Sequence, residues 1–236
     1  MINLKNEKLL IIAPHADDEI LGCYGLIKKI KNLGGKVYVQ ILTMGGYKKI
    51  GSSFITKEKW HQEFLKASKH LKIDGNDIMF YEDNFHYLDE IPRRNLIDYL
   101  ETKSNVSLFK IKPTIVALPT IFSTHQDHTQ TYKAVISALR IQPQKKFNST
   151  KLIISYESPE YYFWSPYIEF GKFTPNFFLE MSDTDIKNKI KALSVYQSQL
   201  MKGKRDARKI KALATIRGSE AGVPFAEAFH VHRMIL

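Results

Sequence analysis

An α/β fold built on a parallel sheet is predicted by three features of the sequence. Short runs that are wholly or almost wholly apolar, Leu9 to Ala13 and Thr114 to Leu118, are closed by Pro14 and Pro119, as in strands buried on both faces. Glu19 to Leu33 carries apolar residues at helical spacing and stops at Gly34-Gly35, before a second strand at Lys36 to Thr43. This strand–helix–strand rhythm then continues along the chain, so crossover helices on a mostly parallel sheet are the natural architecture.

The later elements follow in order. An amphipathic helix is expected over 57–71, a short strand over 77–81, a helix over 91–101 and the strand at 114–118. A helix over 129–140 and a strand over 151–156 come next. Residues 158–177 are rich in proline and aromatic side chains and read as loop with a short strand. A lysine-rich helix over about 183–201 and another over about 203–216 complete the pattern. With 236 residues, 44% hydrophobic, and no internal repeat or low-complexity linker, the chain reads as one domain spanning 1–236.

Composition narrows the function classes. One cysteine, Cys23, excludes an intrachain disulfide and fits a reducing compartment. Leu9 to Ala13 is too short for a signal-peptide core, and no run approaches the ~18 apolar residues of a membrane span, so a cytoplasmic enzyme is expected. The net charge of +11 has two readings, attraction to an anionic substrate or a solvated lysine-rich surface. The lysines are scattered and no nucleic-acid motif accompanies them, which argues against a nucleic-acid partner. Oligomeric state is open, a homo-oligomer included.

Two clusters carry the chemistry. The first is Pro14-His15-Ala16-Asp17-Asp18-Glu19, where the first strand runs into the first helix. Ligands of open parallel sheets bind at the carboxyl ends of strands. One imidazole and three carboxylates in five positions there repel one another unless a cation joins them. His15 and Asp18, three apart at a turn, can face one ion while Asp17 stays beside it. The competing reading is a polar turn whose carboxylates cap the helix. The second cluster, His125-Gln126-Asp127-His128, follows the strand at 114–118 and a short loop. It too stands at a strand's C-terminal end, so the clusters can meet across neighbouring strands. His15, Asp18 and either His125 or His128 then make a three-ligand set with open positions, as in catalytic zinc sites. The same donors serve Fe²⁺ or another divalent metal. A metal lowers the pKa of bound water towards ~7, Asp17 can take its proton, and a remaining imidazole can stabilise an oxyanion or protonate a leaving amine. That set performs hydrolysis of an amide or ester.

These residues resemble the LmbE/PIG-L family of zinc-dependent N-acetylglucosaminyl deacetylases. The family's first signature, (A/P)-H-P-D-D-E, is matched by Pro14 to Glu19, and its second, H-P-D-H or H-Q-D-H, by His125 to His128. Leu42-Thr43 with following glycines, the Asp83 region, Lys112 to Val116, Arg217-Gly218 and Ala226 to Phe229 are similar to family landmarks, so the resemblance covers nearly the whole chain. It implies a Rossmann-like three-layer fold with a mostly parallel sheet and helices on both faces. It implies that His15, Asp18 and His128 bind zinc and that Asp17 is the general base. It makes His125 the electrophilic or acid partner, oriented by Asp127 through a hydrogen bond. Family substrates are N-acetylglucosamine conjugates, so removal of an N-acetyl group from an amino-sugar is the expected reaction.

Three positions depart from the family pattern. Ala16 replaces a proline, Trp60 stands where an R-x-x-E frame has arginine (here Trp60-His61-Gln62-Glu63), and Ser123 replaces a frequent acid. Trp60 is a candidate to stack on a sugar face, and Glu157 and Glu227 are further candidates for substrate contact. Tyr161, Tyr162, Phe163, Trp164 and Tyr167 either form a sugar-binding wall or pack a long loop. Cys23 reads as a core thiol, and His230 and His232 as strand residues. Two other functions compete: a metal amidase of another sugar-conjugate amide, and a non-catalytic sugar- or nucleotide-binding module. The second is weakened because the base and all ligand positions are present, and because Gly22 and Gly25 make no G-x-G-x-x-G turn.

Overall fold

The structure is a computed structural model, and it describes residues 4–48, 54–83, 87–141, 150–159, 171–199 and 206–235. Strand β1 (Lys8–Ala13) leads into α1 (Asp18–Asn32), which returns the chain to β2 (Lys36–Thr43). The short strands β3 (Tyr47–Lys48) and β4 (Phe54–Ile55) pair with each other and precede α2 (Lys57–His70) and β5 (Gly75–Phe80). Next come α3 (Arg93–Asp98), which runs into a π-helical turn at Tyr99–Lys103, and then α4 (Leu108–Ile111), β6 (Ile115–Pro119) and α5 (Gln126–Ala138). The chain continues with β7 (Leu152–Tyr156), β8 (Phe177–Glu180), α6 (Asp183–Leu193), α7 (Ala207–Ala221) and β9 (Ala226–Met234).

Seven strands form one sheet in the order β5-β2-β1-β6-β7-β9-β8. The first five are parallel, and β9 and β8 add an antiparallel edge. Alternation along β1 sorts the core into two layers. Leu9, Ile11 and Ala13 pack in one cluster with residues of α1, α2, α6 and α7, while Leu10 and Ile12 pack in the other with residues of α3, α4 and α5. The result is the three-layer α/β fold expected from the sequence. The expected lysine-rich helix is shorter than 183–201, because α6 ends at Leu193 and gives way to turns through Gln199. The helix expected at 203–216 runs from Ala207 to Ala221. Among the described residues, no helix is long and apolar enough to cross a membrane.

The order of strands locates the site. From β1 the chain moves outward to β2 and β5, then crosses back to β6 on the other side of β1. The connections after β1 and β6 therefore diverge, leaving a crevice between the C-terminal ends of these two neighbours. Both signature clusters lie there. Two glycines explain how α1 seats so closely: a Cβ on Gly22 would lie 2.1 Å from Tyr156 Cδ2, and one on Gly25 would lie 2.9 Å from Glu227 Oε2. Tyr156 also donates from its hydroxyl to the Ile12 carbonyl oxygen at 3.0 Å, joining β7 to β1 beneath the crevice.

Candidate active site

After β1 the chain makes a tight turn through His15 and Asp17 into α1. Asp17 occupies the N-cap position with φ 113° and ψ −23°, a left-handed conformation that L-residues adopt at a cost of roughly 1–3 kcal/mol. Its carboxylate makes no capping hydrogen bond to the helix, so the competing reading of a simple cap does not describe it. Glu19 Oε2 instead accepts from the Asp17 backbone N–H at 2.8 Å. Asp17, Asp18 and Glu19 are all buried.

Asp18 meets the second cluster. Its Oδ2 lies 3.5 Å from His15 Nδ1 and 3.3 Å from His128 Nε2. Potential ligand atoms of His15, Asp18 and His128 all lie within 4.8 Å of one another. A tetrahedral ion with bonds of about 2.0–2.1 Å sets its ligand atoms about 3.3–3.4 Å apart, so the donor set fits such an ion. Two imidazole nitrogens and one carboxylate suit Zn²⁺ or Fe²⁺. A second grouping, His15, His125 and Asp127, also meets the distance condition. It shares His15 with the first, and its Asp127 carboxylate is already hydrogen-bonded to His15 Nε2 and the Leu88 N–H.

Helix phase separates the two histidines of the second cluster. His125 is the N-cap of α5, and its Nδ1 accepts from the Asp127 backbone N–H at 3.2 Å. His128, one turn into the helix, faces Asp18. With Nδ1 accepting, the neutral His125 ring carries its proton on Nε2. Burial, together with the nearby His15 and His128, pushes the His125 pKa down to about 3, so the ring stays neutral at ordinary pH. The rings of His15 and His125 approach edge to face at 4.8 Å between centroids.

The Asp127 carboxylate does not orient His125 as expected. Its Oδ2 accepts from His15 Nε2 at 2.9 Å, and its Oδ1 accepts from the Leu88 N–H at 2.9 Å. His125 is held by the main chain of Asp127, because an N-cap side chain turns back onto the first amides of its own helix. The carboxylate is thus left for His15, whose Nε2 it fixes as a donor, turning Nδ1 towards Asp18. This is the usual orientation of a metal-ligating histidine by a carboxylate behind it. Burial alone would lower the His15 pKa, but the hydrogen bonds and charges of Asp127 and Asp18 prevail and raise it to about 9. Burial likewise opposes ionisation of Asp18, yet His128 and His15 hold it well below the usual carboxylate range.

The candidate substrate residues are placed differently. Trp60 is 2% exposed; its indole N–H donates to the Ala16 carbonyl oxygen at 3.2 Å, and its ring stacks beside His15 at 6.4 Å and 18°. It braces the turn that carries His15, because the helical phase of α2 turns it inward. Glu157 and Glu227 stand at the correct end of the sheet but on the face covered by α1, α6 and α7. Arg217 binds Glu157 through Nε and Nη2 at 2.6 and 2.7 Å, and Lys189 donates to Glu227 at 2.8 Å. Glu227 also accepts from the N–H groups of Gly25 and Leu26. Both glutamates line a cavity of ≈ 20 Å³, room for about one water, whose lining includes neither Asp17 nor any of the site histidines. Both are ion-paired, Glu157 with Arg217 and Glu227 with Lys189. Tyr161, Tyr162, Phe163, Trp164 and Tyr167 lie outside the described residues.

Other groups shape the site, and of these Leu88 and Tyr196 carried no signal in the sequence. Ser123 Oγ accepts from the His125 backbone N–H at 3.2 Å, so the hydroxyl at this position shapes the loop ahead of α5. Leu88 contributes a backbone donor to Asp127. Tyr196, from the turns after α6, donates to Glu19 Oε1 at 2.5 Å. Burial pushes Glu19 up to about 7, against the hydrogen bonds from Tyr196 and Asp17 that favour its charged form.

Residues 10–139 match the family described as PIG-L, GlcNAc-PI de-N-acetylase. The conserved protein TT1542 from Thermus thermophilus superposes with a TM-score of 0.72 at 25% identity, covering 98% of this chain and 96% of that one. The N,N'-diacetylchitobiose deacetylase of Pyrococcus horikoshii gives a TM-score of 0.72 at 22% identity, with 98% and 88% covered. The 4-carboxy-2-hydroxymuconate hydratase GalB of Pseudomonas putida gives 0.69 at 14% identity, with 98% of each chain covered. One fold thus carries both a deacetylase and a hydratase, so the fold alone does not fix the reaction.

Proposed function

The chain belongs to the GlcNAc-PI de-N-acetylase family, and from that premise we propose that it is a metal-dependent hydrolase removing the N-acetyl group of a GlcNAc-type amino-sugar conjugate. The observation that carries the reading is the convergence of His15, Asp18 and His128 within 4.8 Å of one another, at the mouth of the crevice that also holds Asp17 and His125. His15 Nδ1, Asp18 Oδ2 and His128 Nε2 would hold Zn²⁺, or Fe²⁺ in its place. Such an ion supplies Lewis acidity and makes water a nucleophile near neutral pH.

This chain's own groups do the rest. Asp17, buried and set off its helix by the left-handed backbone, takes the proton of the attacking water. The water oxygen adds to the acetyl carbon, and negative charge gathers on the former carbonyl oxygen. His125 Nε2–H, on a ring kept neutral by burial, donates a hydrogen bond to that oxyanion. Collapse breaks the C–N bond; acetate departs, and the proton held by Asp17 passes to the leaving amine. Asp127 holds His15 in its ligating tautomer, and Trp60 supports the turn from behind. Arginine is absent at position 60, so recognition of the sugar falls to other groups.

The test is acetate release from a panel of N-acetylated amino-sugars and nucleotide-sugars, with chelator and with zinc restored. Release that chelation abolishes and zinc restores supports the reading. A larger acid released from another sugar amide, with no acetate, would replace it with the amidase alternative. Binding without any hydrolysis would favour the non-catalytic module.

A further inference from the structure

We propose that Tyr196 is a positioning residue for this reaction, acting through Glu19 on the backbone of Asp17; the proposal rests on Asp17 being the base. Tyr196 is fully buried, in the turns that follow α6, 177 positions from Glu19 in sequence. Its hydroxyl donates to Glu19 Oε1 at 2.5 Å, and the other oxygen of the same carboxylate accepts from the Asp17 N–H at 2.8 Å. The two bonds use both oxygens, so the phenol fixes the rotation of the carboxylate, and the carboxylate fixes the peptide of Asp17.

That peptide needs holding. Asp17 sits at φ 113°, a conformation that persists only where surrounding contacts over-determine it. Its carbonyl accepts from Ile20 and Leu21, which ties it to α1 on one side, while Glu19 holds its N–H on the other. The Tyr196 end is itself anchored. The backbone N–H and the hydroxyl of Ser198 both donate to the Glu63 carboxylate of α2. Gln199 donates to Ser198 Oγ, and Tyr47 donates to Gln199 Oε1. The tyrosine hydroxyl is thus presented from a braced turn into a largely apolar cluster, where a phenylalanine would satisfy packing alone. A buried hydroxyl is costly unless its hydrogen bond is made, and here that bond sets the geometry of the base.

The test compares the intact chain with Tyr196→Phe, and with Glu19→Gln as a second variant that turns one acceptor oxygen into a donor. Amide hydrogen exchange at Asp17 should quicken about tenfold or more in both, with Ile11 and Ile12 of β1 unchanged. In the metal-loaded enzyme, acetate release per bound ion should fall roughly ten- to a hundredfold in Tyr196→Phe, with KM and metal content retained. In an Asp17→Asn background the same change should add much less, because the group it positions is already gone. Unchanged exchange at Asp17 overturns the proposal, whether or not the protein releases acetate. An equal loss in both backgrounds also overturns it, since a general structural effect multiplies in each. Faster exchange in a protein that releases no acetate supports the Tyr196–Asp17 link and refutes the deacetylase reading instead.

Discussion

Metal binding at this site should displace a proton from His15, and the structure sets the size of the effect. Asp127 accepts from Nε2, so the ring must ligate through Nδ1, the nitrogen that faces Asp18. In the metal-free protein the two carboxylates raise the His15 pKa to about 9 against its burial, so both nitrogens are protonated at neutral pH. At pH 7, about two units lower, only about 1% of molecules offer a bare Nδ1. Apparent affinity is then roughly a hundredfold weaker than above pH 9. Calorimetry of Zn²⁺ binding in buffers of differing ionisation enthalpy should count close to one proton released per ion at pH 7, falling towards zero above pH 9. Stability should mirror this. A raised histidine pKa stabilises the metal-free fold fully below its unfolded value near 6.5, and that stability is lost as pH rises through about 9. The metal-free melting temperature should therefore fall over that window, while the zinc-loaded one does not. Zinc binding that releases no proton at pH 7, with a flat metal-free melting profile, would refute this assignment of His15.

Further outcomes follow from the same geometry. Asp17→Asn should keep stoichiometric metal while lowering acetate release by about 10²–10⁴-fold, the range of general-base loss, as read by metal analysis beside initial rates. His125→Ala should lower kcat by about 10²–10³-fold with little change in KM, because the hydrogen bond it removes is made chiefly to the oxyanion. Arg217→Ala should destabilise the fold by about 3–5 kcal/mol in denaturant titration, since Glu157 is left buried without its bidentate partner. Gly22→Ala should cost about 1–3 kcal/mol in the same assay, because the new methyl meets the Tyr156 ring at 2.1 Å and that ring is pinned to Ile12.

Strand and helix order could be read from the sequence because both signals are local. A fully apolar run closed by proline and a helical repeat closed by glycine need only neighbouring residues to be recognised. The crevice between β1 and β6 then follows from the reversal of direction in the strand order. The convergence of the two clusters was legible for the same reason, since each directly follows a strand end. What the tertiary structure alone decided is the partner of each side chain. The carboxylate of Asp127 reaches His15 across 112 positions, Tyr196 reaches Glu19 across 177, and Trp60 reaches Ala16 across 44. Glu157 and Glu227 sit at the expected end of the sheet, yet the face they occupy belongs to Arg217 and Lys189. Such pairings depend on helix phase, on rotamer and on which layer covers a strand. No stretch of sequence holds those quantities until the layers pack.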